Sequence, residues 1–294
     1  GNWDEWQGVM EQFRVSNSCR YPSGTTFTPP TENFTADSNT KLLLQNGTDG
    51  STTFTDGSSS SNTVTASGDV RWFAPKIGAG AIALDGSGDY LSAPDSSDWQ
   101  WGADFTLEAW VKPLSYPTDN RAGVFSQGTD VNNYWNFRLN DDGSTQFYGQ
   151  ISGSEAWSIT SSTGHISTSS WHHIAMVKDG NDFELFIDGT SRGSGTDTTA
   201  FIDLSGVLVL GAAKRASAEN FFDGYIDEVR ISRTARYTTT FTPSTSEFTD
   251  DINTVLLIHA DKKEGTGFQD KSTGLAISEK SRMKFDGTGD YLSV

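Results

Sequence analysis

Three sets of residues have the types and spacing to do chemistry. Asp227 and Glu228 are neighbours in Tyr225-Ile-Asp-Glu-Val-Arg-Ile231. A carboxylate pair is what acid–base cleavage of a glycosidic bond uses, and an inward-pointing carboxylate is what a bound cation uses. Neighbours on a strand point to opposite faces, so these two are not expected to share a substrate. Asp227 alternates with Tyr225, Val229 and Ile231 and is expected to point inward, where a carboxylate needs a cation or several hydrogen-bond donors. Two readings stay open for it: a cation ligand, or a carboxylate satisfied by backbone N–H groups or an Arg230-like partner. Asp85 and Asp89 flank a glycine turn, with turn formation as the ordinary role and ion ligation as the alternative. His172 and His173 resemble a metal pair by spacing. They also lie on opposite faces of one strand, so core or hydrogen-bonding roles are expected.

The third set could recognise a sugar, whose pyranose ring has an apolar face and a hydroxyl edge. Trp135 and Tyr134 adjoin Asn133 and Asp130 at a loop edge, and Trp157 lies in the polar stretch from Gly153 to Ser158. These are the candidate platform, against the competing reading that the indoles are simply packed. Lys214 and Arg215 follow Leu210-Gly211 and are candidates for contact with a glycan or acidic ligand, or else solvated charge.

Composition excludes several alternatives. The 294 residues carry a formal net charge of −17, which repels polyphosphate, so nucleic acid is an unexpected partner. The single cysteine, Cys19, excludes a disulfide within the chain. No run approaches the ~20 apolar residues of a membrane helix, so no membrane insertion is expected. There is no Cys/His cluster of zinc spacing, and Gly78-Ala-Gly80 lacks the βαβ setting of a phosphate loop.

The elements that must position these residues are short β-rich runs separated by Gly, Asp, Asn and Ser, the pattern of an all-β sandwich or barrel. In Phe105-Thr-Leu-Glu-Ala-Trp-Val-Lys112, alternate residues Phe105, Leu107, Ala109 and Val111 make one apolar face. Asp179-Gly180 and Asp188-Gly189 end hydrophobic runs and predict hairpin turns.

The chain also repeats itself. GVMEQFRVSNSCRY (8–21) returns as GYIDEVRISRTARY (224–237), with Arg14 and Arg230 216 positions apart. Phe27, Leu42 and Phe54 return 214 positions on as Phe241, Leu256 and Phe268, and DGSGDYLSA (85–93) returns as DGTGDYLSV (286–294). This predicts a piece of a longer tandem array: 1–25 the tail of one copy, 26–39 a linker, 40–237 a complete domain, 238–253 a second linker, and 254–294 the truncated head of the next copy. Self-association through the partial copies is expected.

DGSGDYLSAP, FTLEAWVKP, WHHIAMVKDGNDFELFIDG and FFDGYIDEVRISRTARY, in this order and spacing, resemble the laminin G-like members of the concanavalin A-like lectin/glucanase superfamily. The resemblance covers residues 40 to 237. It implies a jelly-roll sandwich of two curved antiparallel sheets. It also implies a structural calcium in many members, held by an acidic residue of the last strand, for which Asp227 stands here. Laminarinase-type hydrolases of similar fold carry Glu-x-Asp-x-x-Glu on one strand, and that motif is missing. A pentraxin-like calcium site needs acidic residues after a Leu-Gly, where this chain has Ala212, Ala213, Lys214 and Arg215. The expectation is therefore a non-enzymatic module for adhesion or carbohydrate recognition. Its partner would be a glycan or cell-surface polysaccharide, and its location extracellular, on a cell surface or a phage virion. A structural spacer without a ligand, and a glycoside hydrolase or its accessory module, are the alternatives.

Overall fold

The computed structural model describes residues 12–260 except 22–25, 29, 31, 46, 48, 50, 66–72, 79 and 119–120. The repeated DGTGDYLSV and Glu11, the counterpart of Asp227, lie outside the described residues. The chain divides into two compact units, one up to residue 74 and one from residue 75. In the first, β1 (Phe13–Ser16) and β2 (Thr40–Leu44) form an antiparallel pair with a bulge between Val15 and Ser16.

In the second unit the strands are β3 (Ile82–Asp85), β4 (Leu91–Ala93), β5 (Phe105–Pro113), β6 (Arg121–Asp130), β7 (Asn133–Asn140), β8 (Thr145–Ile151), β9 (Ser154–Thr160), β10 (His172–Asp179), β11 (Asp182–Ile187), β12 (Thr190–Thr196), β13 (Leu208–Leu210), β14 (Ala213–Lys214), β15 (Ala218–Glu219), β16 (Asp223–Ser232) and β17 (Thr254–Ile258). Among the described residues no helix is long and apolar enough to cross a membrane. The strands build a jelly-roll sandwich. A seven-stranded sheet runs β12-β11-β10-β5-β16-β17, with β3 also on β16, and faces a six-stranded sheet β4-β13-β6-β7-β8-β9. The Asp-Gly turns fall where expected: Asp188 (φ 51°) and Gly189 (φ 74°) join β11 to β12 with both residues left-handed, the backbone a two-residue hairpin demands.

Alternation predicts the core correctly. Phe105, Leu107, Ala109 and Val111 of β5 meet Phe125, Trp135, Phe137, Leu139, Phe147 and Trp157 from the opposite sheet. The other face of β5, carrying Thr106, Glu108, Trp110 and Lys112, is buried as well. The cover comes from the segment expected as a second linker. Phe241 donates its N–H to Gly189 and packs against Phe186, while Phe248 joins Ile77, Trp110 and Leu257 in an outer apolar cluster.

Phe241 and Phe248 anchor the otherwise largely exposed segment 238–253 to the seven-stranded sheet, and β17 is hydrogen-bonded along β16 from Val229 to Ser232. One expectation is corrected here. Asp227 does not point into the sandwich. A bulge sets Glu228 and Val229 against Ala109 alone, so Asp227 pairs with Trp110 and faces outward, like Tyr225 opposite Lys112. Glu228, in left-handed backbone (φ 48°), is the extra residue that breaks the alternation.

Candidate functional site

Two polar regions could do chemistry: the buried outer face of the seven-stranded sheet and the outer face of the six-stranded sheet. On the first, Glu108 is wholly buried at the centre of β5. Its carboxylate accepts from Arg230 Nε at 2.8 Å, Tyr237 Oη at 2.7 Å and His173 Nε2 at 3.2 Å. Burial would raise its pKa, but the His173 hydrogen bond and the Arg230 charge outweigh burial and hold it below the usual range. Every acceptor position faces a donor from the protein itself, which makes this a structural network.

Asp227 is equally buried. Its carboxylate accepts the N–H groups of Lys76 and Ile77, both at 3.0 Å, and of Glu228 at 2.8 Å. Calcium takes six to eight oxygen ligands, whereas Asp227 meets three positive N–H dipoles. Among the described residues no three Asp, Glu, His or Cys side chains gather as metal ligands. The surroundings do not fit the calcium that the resemblance implied. Asp85 accepts the Ser87 N–H at 2.8 Å and acts as a turn residue, and Asp89 is buried beside the same turn.

The histidines split as expected. His173 belongs to the Glu108 network, while His172 joins Ser167 and Asp188 in an arrangement with the order of a hydrolytic triad. Ser167 Oγ lies 2.9 Å from His172 Nε2, and His172 Nδ1 lies 2.8 Å from Asp188. Yet the Nε2 lone pair that would take the serine proton already accepts the Ser167 N–H at 3.1 Å. The trio ties the 167 loop to the β11–β12 turn. Ser167→Ala is therefore expected to leave p-nitrophenyl acetate hydrolysis at background and to cost about 1 kcal/mol in a melt. Covalent labelling by a fluorophosphonate that disappears in Ser167→Ala would overturn this.

The expected platform is corrected next. Trp135 and Trp157 are 1% and 2% exposed, so neither indole offers a face to a ligand. Trp157 stacks on Phe201 at 4.1 Å, and Trp135 packs on Trp101 at 4.7 Å. Asp130 accepts from the Asn132 N–H and the Asn133 side chain, and Asn133 in turn accepts the Ser152 N–H, so these residues brace two turns. The competing reading for the indoles, that they are simply packed, matches their burial.

The same strand that buries Trp135, Phe137 and Leu139 inward must send Tyr134, Asn136 and Arg138 outward. Opposite them on β8 stand Gln150, Tyr148 and Gln146. Arg138 is the centre of this face. Its guanidinium bonds Gln146 Oε1 and Asn136 Oδ1 and lies 4.8 Å from the Tyr148 ring centre. Among the described residues no carboxylate pairs with it. Burial, with Arg121 nearby, pushes its pKa down to about 10, so it keeps its proton at neutral pH.

The β14–β15 hairpin walls this face. A Cβ at Gly123 or Gly128 of β6 would overlap the backbone of Ala212 or Lys214, so both glycines let the hairpin lie on the strand. Lys214 folds back on Ala216 O at 2.7 Å, and Arg215 pairs with Glu219 while reaching over the Tyr134 ring at 5.8 Å. Gln146, Tyr148 and Gln150 remain half-exposed beside the wall. Elsewhere, a cleft of about 350 Å³ is lined by Asp179, Asp182 and Glu184, whose charge suits no acidic ligand.

Comparison with known proteins places the fold. Residues 85–239 match a family described as the concanavalin A-like lectin/glucanases superfamily. No curated protein is similar to the chain. Among solved structures, the CBM40 of the Ruminococcus gnavus IT-sialidase bound to alpha2,3 sialyllactose aligns with TM-score 0.42 and 14% identity, covering 51% of this chain and 92% of that one. The SAP-like pentraxin of Limulus polyphemus aligns at 0.39 and 16%, covering 54% and 77%. The NanB sialidase of Streptococcus pneumoniae, as its K499G mutant, aligns at 0.44 and 17%, covering 56% of this chain and 27% of that one.

Proposed function

Because the chain belongs to the concanavalin A-like lectin/glucanases superfamily, we propose that its sandwich is a non-enzymatic carbohydrate-binding module that reads an acidic glycan on the outer face of the six-stranded sheet. One observation carries this reading: the charge of Arg138, in a chain of net charge −17, is held by amide oxygens and an aromatic ring, with no carboxylate partner among the described residues. Arg138 is itself only 8% exposed, so what it offers a carboxylated or sulfated sugar is a largely desolvated charge. The half-exposed Tyr148 supplies an apolar surface for a ring, and Gln146 and Gln150 supply amides for hydroxyls. Arg215, shared with Glu219, and Lys214 stand at the edge of the same face.

The module would serve adhesion on a cell or virion surface within a longer repetitive protein. A spacer role is the second reading, favoured by the way β17 locks onto β16.

A glycan array holding neutral, carboxylated and sulfated sugars, probed in calcium and again in chelator, tests the proposal. Saturable binding to acidic glycans in both conditions is expected, weakened roughly 30-fold by Arg138→Gln and at least about tenfold by Tyr148→Ala, with melting curves retained. Silence of the unaltered protein would leave the spacer. Binding that ignores Arg138→Gln would move the site elsewhere.

A further inference from the structure

The β1–β2 pair and the β16–β17 pair are the same object built twice. Phe13, Arg14, Val15 and Ser16 pair with Leu44, Leu43, Leu42 and Thr40. Val229, Arg230, Ile231 and Ser232 pair with Ile258, Leu257, Leu256 and Thr254, with the bulge at the corresponding step.

Side chains repeat the correspondence. Arg20 bonds Ser16 Oγ, Asp37 and Thr40, and Arg236 bonds Ser232 Oγ, Asp251 and Thr254. Both aspartates also accept from the asparagine two residues on, each at 3.0 Å. Tyr21 stacks on Phe27 at 3.8 Å as Tyr237 stacks on Phe241 at 3.6 Å. Arg14 lies 4.2 Å from the Phe34 ring centre as Arg230 lies 4.4 Å from that of Phe248. Even the N–H of each phenylalanine finds the corresponding side chain: Phe34 donates to Gln12 and Phe248 to Glu228, both at 2.6 Å.

By sequence, β1 and β16 end one copy of the repeat, whereas β2 and β17 begin the next. We infer that the Val229–Ser232 edge of β16, opposite β5 and beyond β3, is a docking site for a strand supplied by the following copy of the repeat, and that this strand donation, locked by an Arg–Asp–Thr clasp, is how consecutive copies are joined. The donated strand is a working part of the acceptor. Val255, Leu256, Ile258 and Ala260 belong to the main core of the sandwich. Strand addition satisfies the backbone groups of an open edge and buries an apolar stripe at the same time. Each sandwich would thus fold fully only with the first residues of its successor, and β2 would serve the copy before it.

The rival is direct: Thr40–Leu44 carries the same strand and could close β16 in place of Thr254–Ile258. Hydrogen exchange on the full chain separates them. Leu256→Asp is expected to speed exchange of the Val229–Ser232 amides more than about 100-fold, and Leu42→Asp to leave it within about twofold. Should Leu256→Asp unfold the whole sandwich, the milder pair Asp251→Asn and Asp37→Asn keeps the test. Loosening one clasp should raise exchange at 229–232 about tenfold for Asp251→Asn alone. Protection of 229–232 that depends on Leu42 or Asp37, or on neither head segment, would overturn the inference.

Discussion

Glu108→Gln is expected to cost the sandwich about 3–5 kcal/mol, lowering its melting temperature by roughly 10 °C. The glutamine nearly matches the size of the glutamate, so the cost is electrostatic. Glu108 is fully buried and answers Arg230, His173 and Tyr237 at once, and the amide would present hydrogens to groups that are themselves donors. The Arg230 guanidinium would keep Thr249 O and the Phe248 ring but lose the one carboxylate that, among the described residues, lies at contact distance. Since the folded carboxyl lies below its usual pKa, its stabilisation is present above the unfolded pKa and lost as pH falls through the folded one. The penalty of the substitution should therefore shrink in acid. A calorimetric scan at neutral pH showing a loss under about 1 kcal/mol would mean that the network is a bystander.

This network explains why some of the molecule could be read from the chain and some could not. Period-two alternation in β5 and β7 marked the inward residues, and Asp-Gly marked the hairpins, because each is a local consequence of backbone geometry. Alternation could not reveal that the outward face of β5 is covered too. Nothing local to Thr106, Glu108 and Trp110 says that Phe241 and Phe248 will return across them. The spacing of those phenylalanines was nevertheless visible, since Phe27 and Phe34 repeat it, and such a repeat inside a polar stretch marks anchor points along it.

Asp227 failed for the opposite reason. The parity rule was sound, but Glu228 inserts one residue and inverts it. On the candidate face, the tryptophans drew attention because they are large. The alternation that buries Trp135 is what points Tyr134, Asn136 and Arg138 outward, so that face was legible in the same eight residues.

The buried aspartate gives the second large expectation, a stability that falls between about pH 4 and pH 7. Burial, with Glu228 beside it, pushes the Asp227 carboxyl up to about 7 despite its N–H donors. The folded protein then holds a proton that the unfolded chain, with a carboxyl near 4, releases. A raised carboxyl pKa means that stability is highest below the unfolded pKa and declines until the folded pKa is passed, by about 4 kcal/mol for a shift of this size. Glu228 works in the same sense, its carboxyl raised by burial and eased by the Phe248 N–H and His259. Carboxylates held low, such as Glu108 and Asp251, shape the curve only at more acid pH. Asp227→Asn removes the titration and leaves one amide hydrogen facing a backbone donor, a pH-independent cost of about 1–3 kcal/mol relative to the protonated aspartic acid. The two melting curves should cross: the variant is less stable at pH 4.5 and at least as stable at pH 8. Parallel curves across that range would show that the three N–H groups stabilise the charged form fully, and that the outer bulge is no site of pH sensitivity.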